Sequence, residues 1–201
     1  MIAIVDYGVG NLRSVQKGFE RVSFEVIVTT EADVLRRADG IVLPGVGAFR
    51  DAVSSLARSG LGEELVRSIS KGKLFLGICL GLHLLFSESE EHGITRGLDV
   101  IPGRVVNLPS GVKVPHMGWN QVRRKREVPI FEGIPDGSNF YFVHSYYARP
   151  EDEGVVATIT EYGVEFASSI WCDNLFGVQF HPEKSGEVGL KVLKNFGELC
   201  D

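Results

Sequence analysis

The first half of the chain alternates short apolar runs with amphipathic stretches, and this alternation restricts the possible folds more than any other feature. The apolar runs predict strands at 2–5, 24–28, 40–43 and 74–78. The stretches between them predict helices at 11–22, 50–57 and 62–70, with a further charged helical segment before residue 40. Strands that alternate with helices form parallel βαβ units, and the helices cover both faces of the sheet.

The second half of the chain has a different pattern. Short β-rich runs alternate with glycine and proline turns, at 105–108, 140–143, 155–160, 166–171 and 175–180, and a closing helix is predicted at 186–199. Strands without intervening helices favour antiparallel pairing. Because no repeat or linker interrupts the chain, we predict one domain over residues 1–201. Its fold is α/β, with an open, mostly parallel, flavodoxin-like sheet flanked by helices and with antiparallel additions in the C-terminal half.

Composition and charge argue against several classes of function. A formal net charge of −5 at pH 7 gives no electrostatic reason to expect nucleic acid or an anionic membrane as a partner. We find no apolar run long enough to span a membrane and no cleavable leader. The three cysteines, at 79, 172 and 200, do not form a disulfide framework, and no histidine or cysteine spacing resembles a metal site. We therefore expect a cytoplasmic protein without a metal or cofactor.

A cysteine stands at a predicted turn between a strand and a helix. The segment Gly77-Ile78-Cys79-Leu80-Gly81 follows an apolar run and precedes an apolar pattern at helical spacing. This is the arrangement of a nucleophile elbow, which exposes a reactive side chain on a strained turn. A thiol at a helix N-terminus is also favoured as the thiolate. The alternative is a buried core cysteine, which is common in proteins.

A histidine and a glutamate follow the last predicted strand, in the segment 176–185. Pro182 favours an extended backbone at His181, so His181 and Glu183, two residues apart, project to the same side. A carboxylate beside an imidazole fixes its tautomer and leaves the other nitrogen free to serve a thiol. Alone this segment is also consistent with a solvated turn, but with Cys79 it completes a Cys-His-Glu set.

These two segments resemble those of the class I (triad) glutamine amidotransferases. Further blocks at 6–12, 43–49, 115–120 and 142–146 are similar to those of the glutaminase subunits of imidazole glycerol phosphate synthases, in the same order along the chain. The resemblance implies the class I glutaminase fold and hydrolysis of L-glutamine to L-glutamate and ammonia through a Cys79 thioester. It also implies a heterodimer with a barrel-shaped cyclase, which uses the ammonia to make imidazole glycerol phosphate and aminoimidazole carboxamide ribotide in L-histidine biosynthesis.

Backbone amides near Cys79 are candidates for an oxyanion hole. In a hydrolase elbow one donor is the amide after the nucleophile, here that of Leu80. The glycine-rich loop after the third strand reaches the same sheet edge, so Val46 or Gly47 is the candidate for the second donor, with a structural turn as the alternative.

The resemblance also implies roles for residues outside the catalytic set. Ser145 and Tyr146 match positions that line the glutamine pocket, and so does His83, although His83 stands where the family usually has glutamine. Asn11, Trp119 and Asn120 match positions that face the cyclase, and we interpret 115–120 as an aromatic-bearing turn. Without the resemblance, Trp119 is equally consistent with a core residue. The glycines near residue 10 do not indicate a dinucleotide site, since Arg13 occupies the place of the third glycine of that motif.

Three other functions remain open from the sequence. The chain could supply ammonia to a different synthase, of the anthranilate or pyridoxal phosphate type. It could be a cysteine hydrolase of the same broad fold that acts on peptides or small carbonyl compounds. It could also be a docking subunit that keeps the fold without the chemistry, although the complete Cys-His-Glu set argues against this.

Overall fold

The computed structural model describes residues 1–200, and its central sheet begins with five parallel strands. Their spatial order is β2 (Val26–Thr29), β1 (Ile2–Val5), β3 (Gly40–Gly45), β4 (Leu74–Cys79) and β13 (Leu175–Val178). The registers pair Gly45 with Cys79 and Val178 with Ile78, so β3, β4 and β13 end at one edge of the sheet. The parallel arrangement predicted for the first half is confirmed.

The same sheet continues with four antiparallel strands, which gives nine in all. Beyond β13 they are β12 (Glu165–Cys172), β11 (Val156–Glu161), β8 (His116–Arg124) and β9 (Ser138–His144). The antiparallel additions predicted for the C-terminal half are therefore confirmed. The turn interpreted at 115–120 is wrong, because His116–Asn120 begins β8, which pairs with β9 from His116 opposite His144 to Val122 opposite Ser138.

A second, four-stranded sheet was predicted only in part, since the run at 105–108 lies in it up to Asn107 and its other strands were not predicted. Its order is β10 (Tyr146–Pro150), β7 (Ile101–Asn107), β5 (Phe86–Ser89) and β6 (Thr95–Arg96). These strands are short or carry charged residues, so their apolar periodicity is weak. Since β9 and β10 are separated only by Ser145, the chain passes from one sheet to the other at that residue.

Helices cover both faces of the parallel strands. On one face lie α1 (Leu12–Arg21) and α6 (Gly186–Leu199), and on the other α2 (Ala32–Arg37), α3 (Phe49–Ser59) and α4 (Leu61–Ser70). A hydrophobic core lies on each face of the sheet, and alternate residues of one strand point into the two cores. Ile2 and Ile4 pack with α1 and α6, while Ala3 and Val5 pack with the other three helices. A sheet buried on both faces requires continuously apolar strands, which explains why these runs were recognisable in the sequence. Among residues 1–200, no helix is both long and apolar enough to cross a membrane.

Candidate active site

Cys79 ends β4 on a strained backbone. Its φ is +54° and its ψ is −109°, in a region that side chains other than glycine rarely occupy. A Cβ at Gly77 would lie 2.8 Å from the carbonyl oxygen of Gly81, and a Cβ at Gly81 would lie 1.7 Å from that of Leu43. The flanking glycines are therefore needed for space, because any side chain there would collide with the backbone.

The helix after Cys79 is shorter than the apolar pattern predicted. It is α5 (Leu80–His83), a single turn, and β5 begins at Phe86. The macrodipole of a helix is the sum of its aligned peptide dipoles, so a four-residue helix contributes little of the thiolate stabilisation that we expected.

His181 and Glu183 form a buried pair at the end of β13. His181 has an extended backbone. Pro182 begins a single turn of 3-10 helix, Pro182–Lys184, and Glu183 lies in this turn. His181 Nδ1 donates to Glu183 Oε1 at 2.9 Å, and the two side chains are 2% and 1% exposed. His181 Nε2 is buried and has no hydrogen-bond partner within residues 1–200, so the hydrogen bond to Glu183 leaves Nε2 for a reacting group.

The charge of the pair follows from these contacts. Burial by itself lowers the pKa of His181, but attraction to Cys79 and Glu183 outweighs it and raises this pKa to about 9. The imidazole is therefore protonated at neutral pH. An imidazolium beside a cysteine favours the thiolate, which is the nucleophilic form of the thiol.

A cavity of about 280 Å³ opens beside Cys79 and brings the other predicted site residues together. Its wall includes Cys79 and His181 and all of the residues predicted for the oxyanion hole and the glutamine pocket, namely Val46, Gly47, Leu80, His83, Ser145 and Tyr146. They come from four separate parts of the chain, and the aligned ends of β3, β4 and β13 bring three of these parts to one edge. Ligands of open α/β sheets bind at this edge.

Two residues at this site were missed from the sequence. Glu91 lines the cavity and accepts a hydrogen bond from the backbone amide of Phe49 at 2.6 Å. Gln179 is fully buried and lies between His83 and Cys79, with His83 Nε2 2.7 Å from its Oε1 and its Nε2 donating to Cys79 Sγ at 3.8 Å. An amide inside the apolar run 175–180 was the available signal for Gln179, because buried polar residues are the informative ones.

A directed chain of hydrogen bonds connects β8 to the cavity wall. His144 Nδ1 donates to the carbonyl oxygen of Tyr146 at 2.9 Å, so its Nε2 accepts from His116 Nδ1, also at 2.9 Å. His116 Nε2 then accepts from the amide of Asn120 at 3.2 Å. Both rings must be neutral for this order, and burial lowers the pKa of His116 to about 4 and that of His144 to about 3.

The residues predicted to face a partner differ in their exposure. Asn11 is exposed at the start of α1, and Trp119 is 58% exposed on β8, where it packs edge-on against Tyr141. Trp119 is therefore not a core residue. Asn120 uses its amide within the chain, since it also donates to the carbonyl oxygen of Glu161 at 3.0 Å and accepts from the backbone amide of Gln121 at 2.8 Å. In the part of the chain described, no group of three or more His, Cys, Asp or Glu side chains is placed to hold a metal ion.

The sequence is similar to known proteins over nearly its full length. The family model "Glutamine amidotransferase class-I" matches residues 3–199. Two curated relatives are named imidazole glycerol phosphate synthase subunit HisH. The one from Moorella thermoacetica is 59% identical, over 98% of this chain and 94% of its own, and the one from Geobacter sulfurreducens is 56% identical, over 98% of both.

Solved structures show the same fold at lower identity. One described as a crystal structure of glutamine amidotransferase has a TM-score of 0.78 and 18% identity, and covers 100% of this chain and 99% of its own. The structure of PurLQS from Thermotoga maritima has a TM-score of 0.75 and 22% identity, and covers 97% of this chain and 96% of its own. These likenesses concern the fold alone.

Proposed function

Since this chain belongs to the class-I glutamine amidotransferases, we infer that it is the glutaminase subunit of an imidazole glycerol phosphate synthase and acts in L-histidine biosynthesis. It hydrolyses L-glutamine to L-glutamate and ammonia. The observation that carries this function is the convergence of Cys79 and His181 at one cavity, with Glu183 behind His181 and bonded to it at 2.9 Å. The names of the relatives at 56–59% identity do not favour a different synthase or a peptide hydrolase.

We propose that Cys79 attacks the side-chain amide carbon of glutamine as a thiolate. The C=O bond opens to an oxyanion, which accepts hydrogen bonds from the amide of Leu80 and from that of Val46 or Gly47. His181 gives its proton to the departing nitrogen, the C–N bond breaks and ammonia leaves. Water, deprotonated by His181, then attacks the thioester, and glutamate departs as the Cys79 sulfur is released. Glu183 keeps the imidazole in its orientation and offsets its charge.

The remainder of the glutamine molecule is recognised by the polar wall of the cavity. The carboxylate of Glu91 complements the positive α-ammonium group of an amino acid. Burial and the charge of Glu91 raise the pKa of Tyr146, so its hydroxyl stays protonated beside that carboxylate and serves as a hydrogen-bond donor. Ser145 and His83 supply further polar groups on the same wall. This assignment follows charge complementarity and the placement of the four residues.

The ammonia goes to a barrel-shaped cyclase subunit, which uses it to make imidazole glycerol phosphate and aminoimidazole carboxamide ribotide. Ammonia that enters bulk water is protonated and loses its nucleophilicity, so direct transfer is required. The β8 patch, formed by Met117 and Trp119 on β8 and by Val114 just before this strand, offers a surface for such a partner, with exposures of 62%, 58% and 44%. Exposed apolar and aromatic side chains in one patch are typical of interfaces. Pro115 lies within the same segment and lines the cavity, and Asn11 is a further candidate contact.

A reducing compartment suits this chemistry, because Cys79 is a free cysteine and, as the nucleophile, must remain a thiol or thiolate. We therefore place the enzyme in the cytoplasm.

Glutamate release from glutamine tests the proposal. It is measured for the chain alone, with the cyclase, and with the cyclase and its ribonucleotide substrate. We expect a large rise with the partner, greatest when its substrate is present, and loss of the activity in Cys79→Ala. Full activity of Cys79→Ala in the complex would identify a docking subunit instead. The absence of any rise with this cyclase would refute the assignment to this synthase.

A further inference from the structure

Gln179 touches the reactive sulfur but has no part in the reaction scheme above. Its side-chain Nε2 donates to Cys79 Sγ at 3.8 Å, within the range for a large sulfur acceptor. Its backbone amide donates to the carbonyl oxygen of Ser168 at 2.9 Å, which ties the residue to the central sheet. Burying an amide costs free energy unless the amide is hydrogen-bonded, and here one of its partners is the nucleophile.

His83 is the other hydrogen-bond partner of the Gln179 side-chain amide. His83 Nε2 lies 2.7 Å from Gln179 Oε1, and because an amide oxygen only accepts, this nitrogen carries a proton. Burial lowers the pKa of His83 to about 4, against the opposing effect of the bond to Gln179, so the ring is neutral. If the amide were turned over, its oxygen would face the sulfur and its N–H groups would face a protonated ring nitrogen. The tautomer with the proton on His83 Nε2 and the amide orientation that points an N–H at Cys79 therefore go together, and the other tautomer would turn the amide over.

We propose that Gln179, oriented by His83, is a positioning residue that holds the Cys79 sulfur in its reactive thiolate form. The inference rests on the proposed glutaminase function, in which the thiolate is the nucleophile. A hydrogen bond donated to the charged form of a group favours that form. The contact of Cys79 Sγ with the carbonyl oxygen of Val143, at 3.9 Å, has the opposite effect, since only a neutral thiol can donate there. The hydrogen bond from Gln179 offsets the preference for the thiol that this contact creates. The four-residue α5 contributes little to stabilising the thiolate.

Alkylation of Cys79 by iodoacetamide as a function of pH tests the inference on the full chain without a partner. The thiolate displaces iodide and forms a carbon–sulfur bond, so the rate follows the thiolate fraction. Mass spectrometry of peptides separates Cys79 from the other cysteines. Cys172 serves as an internal reference, because it lies outside the cavity and its pKa is raised by burial and by Asp173.

Gln179→Met keeps the length of the side chain and removes its donor. We expect the midpoint of Cys79 alkylation to move up by about one pH unit. At a pH below the midpoint, this is about a tenfold smaller thiolate fraction than in the wild type. His83→Leu leaves Gln179 in place without its orienting partner, and we expect a shift in the same direction. His83→Gln restores the wild-type midpoint, since its amide N–H donates to Gln179 Oε1 instead. If Gln179→Met does not fold, the two His83 variants decide the matter.

A wild-type midpoint in both Gln179→Met and His83→Leu would overturn the inference. Asn195→Ala is the matched control, because Asn195 is also a buried amide but donates to the carbonyl oxygens of Ile130 and Glu132, outside the cavity. It is expected to lower stability without moving the midpoint, and an equal shift in this control also overturns the inference.

The alkylation midpoint requires neither glutamine nor cyclase, so it separates the two proposals. Shifted midpoints in a protein that never releases glutamate would support the role of Gln179 and refute the glutaminase function. Glutamate release with unshifted midpoints would refute the role of Gln179 alone.

Discussion

Replacement of Glu183 by glutamine tests the charge arrangement of the site with a change of one atom. The bond from His181 Nδ1 to Glu183 Oε1 is 2.9 Å long, and a glutamine Oε1 can still accept it, so the geometry is preserved while the charge is removed. Glu183 does not line the cavity. We therefore expect kcat of the complex to fall by about 10²- to 10⁴-fold, with little change in the KM for glutamine.

The same variant has a predictable effect on stability. The pKa of His181 is about 9 in the folded chain, against 6.5 ordinarily, so the folded chain keeps a proton that the unfolded chain releases as the pH rises. The stabilisation from this proton is present in full below about pH 6.5 and is lost as the pH rises through 9. It amounts to about 3 kcal/mol at 1.4 kcal/mol per pH unit, and Glu183 and Cys79 share it. In Glu183→Gln, the free energy of unfolding that is lost as the pH rises through 9 should be smaller by about 1–2 kcal/mol than in the wild type.

Urea unfolding measured between about pH 6 and 10 provides the assay. The free energy of unfolding should decline with pH less steeply in Glu183→Gln than in the wild type. Glu198→Gln, which alters only a surface pair with Lys194 on α6, is the control and should follow the wild type. Identical slopes for the wild type and Glu183→Gln would refute the reasoning, because they would mean that Glu183 does not hold the His181 proton.

Three further predictions concern other parts of the structure. Gly81→Ala should destabilise the chain by more than about 3 kcal/mol in urea unfolding, since its Cβ would lie 1.7 Å from a backbone oxygen. Stability should decline as the pH falls below about 6.5, because histidines of the unfolded chain then bind protons while His116 and His144 in the folded chain stay neutral down to about pH 4 and 3. His116→Leu should reduce that decline. Trp119→Ala should weaken cyclase binding by about 2 kcal/mol in calorimetric titration, without altering the fold of the free chain.

Each of these predictions has a control in the same chain. Gly62→Ala adds a Cβ in ordinary contact with Leu98 and should cost little stability. His92→Asn changes an exposed histidine and should leave the acid decline unchanged. Ile94→Ala removes a side chain as exposed as Trp119 but outside the β8 patch, and should not affect cyclase affinity. Contrary outcomes are a stable Gly81→Ala protein, an acid decline unaffected by His116→Leu, and equal effects of Trp119→Ala and Ile94→Ala.

The parts of the fold that were predicted correctly have strong local signals. The strands of the parallel half are buried on both faces, so the apolar runs at 2–5, 40–43 and 74–78 stand out. By contrast, β8 carries the exposed Met117 and Trp119 and a glycine at position 118 with φ +132°, so its sequence resembles a turn. It is a strand because β9 pairs with it, and that partner lies beyond a long connection.

The candidate site divides in the same way. Cys79 between its two glycines, and His181 two residues before Glu183, are recognisable because each arrangement lies within a few consecutive residues. Gln179 and Glu91 were missed because their roles depend on groups distant in the sequence, such as His83, which is 96 residues before Gln179. The placement of Asn120 also required the structure, since its amide is used by His116 and Glu161.

The sequence by itself determined the tight strand-to-helix turn at Cys79, the His181–Glu183 pair and the parallel half of the sheet, because turn geometry, tautomer control and burial on two faces each restrict residue types at short spacing. Only the tertiary structure decided which residues meet at the cavity, which rings are neutral and which amide faces the sulfur. Hydrogen-bond partners and pKa values depend on neighbours that the register of distant strands brings together, and that register is a property of the whole sheet.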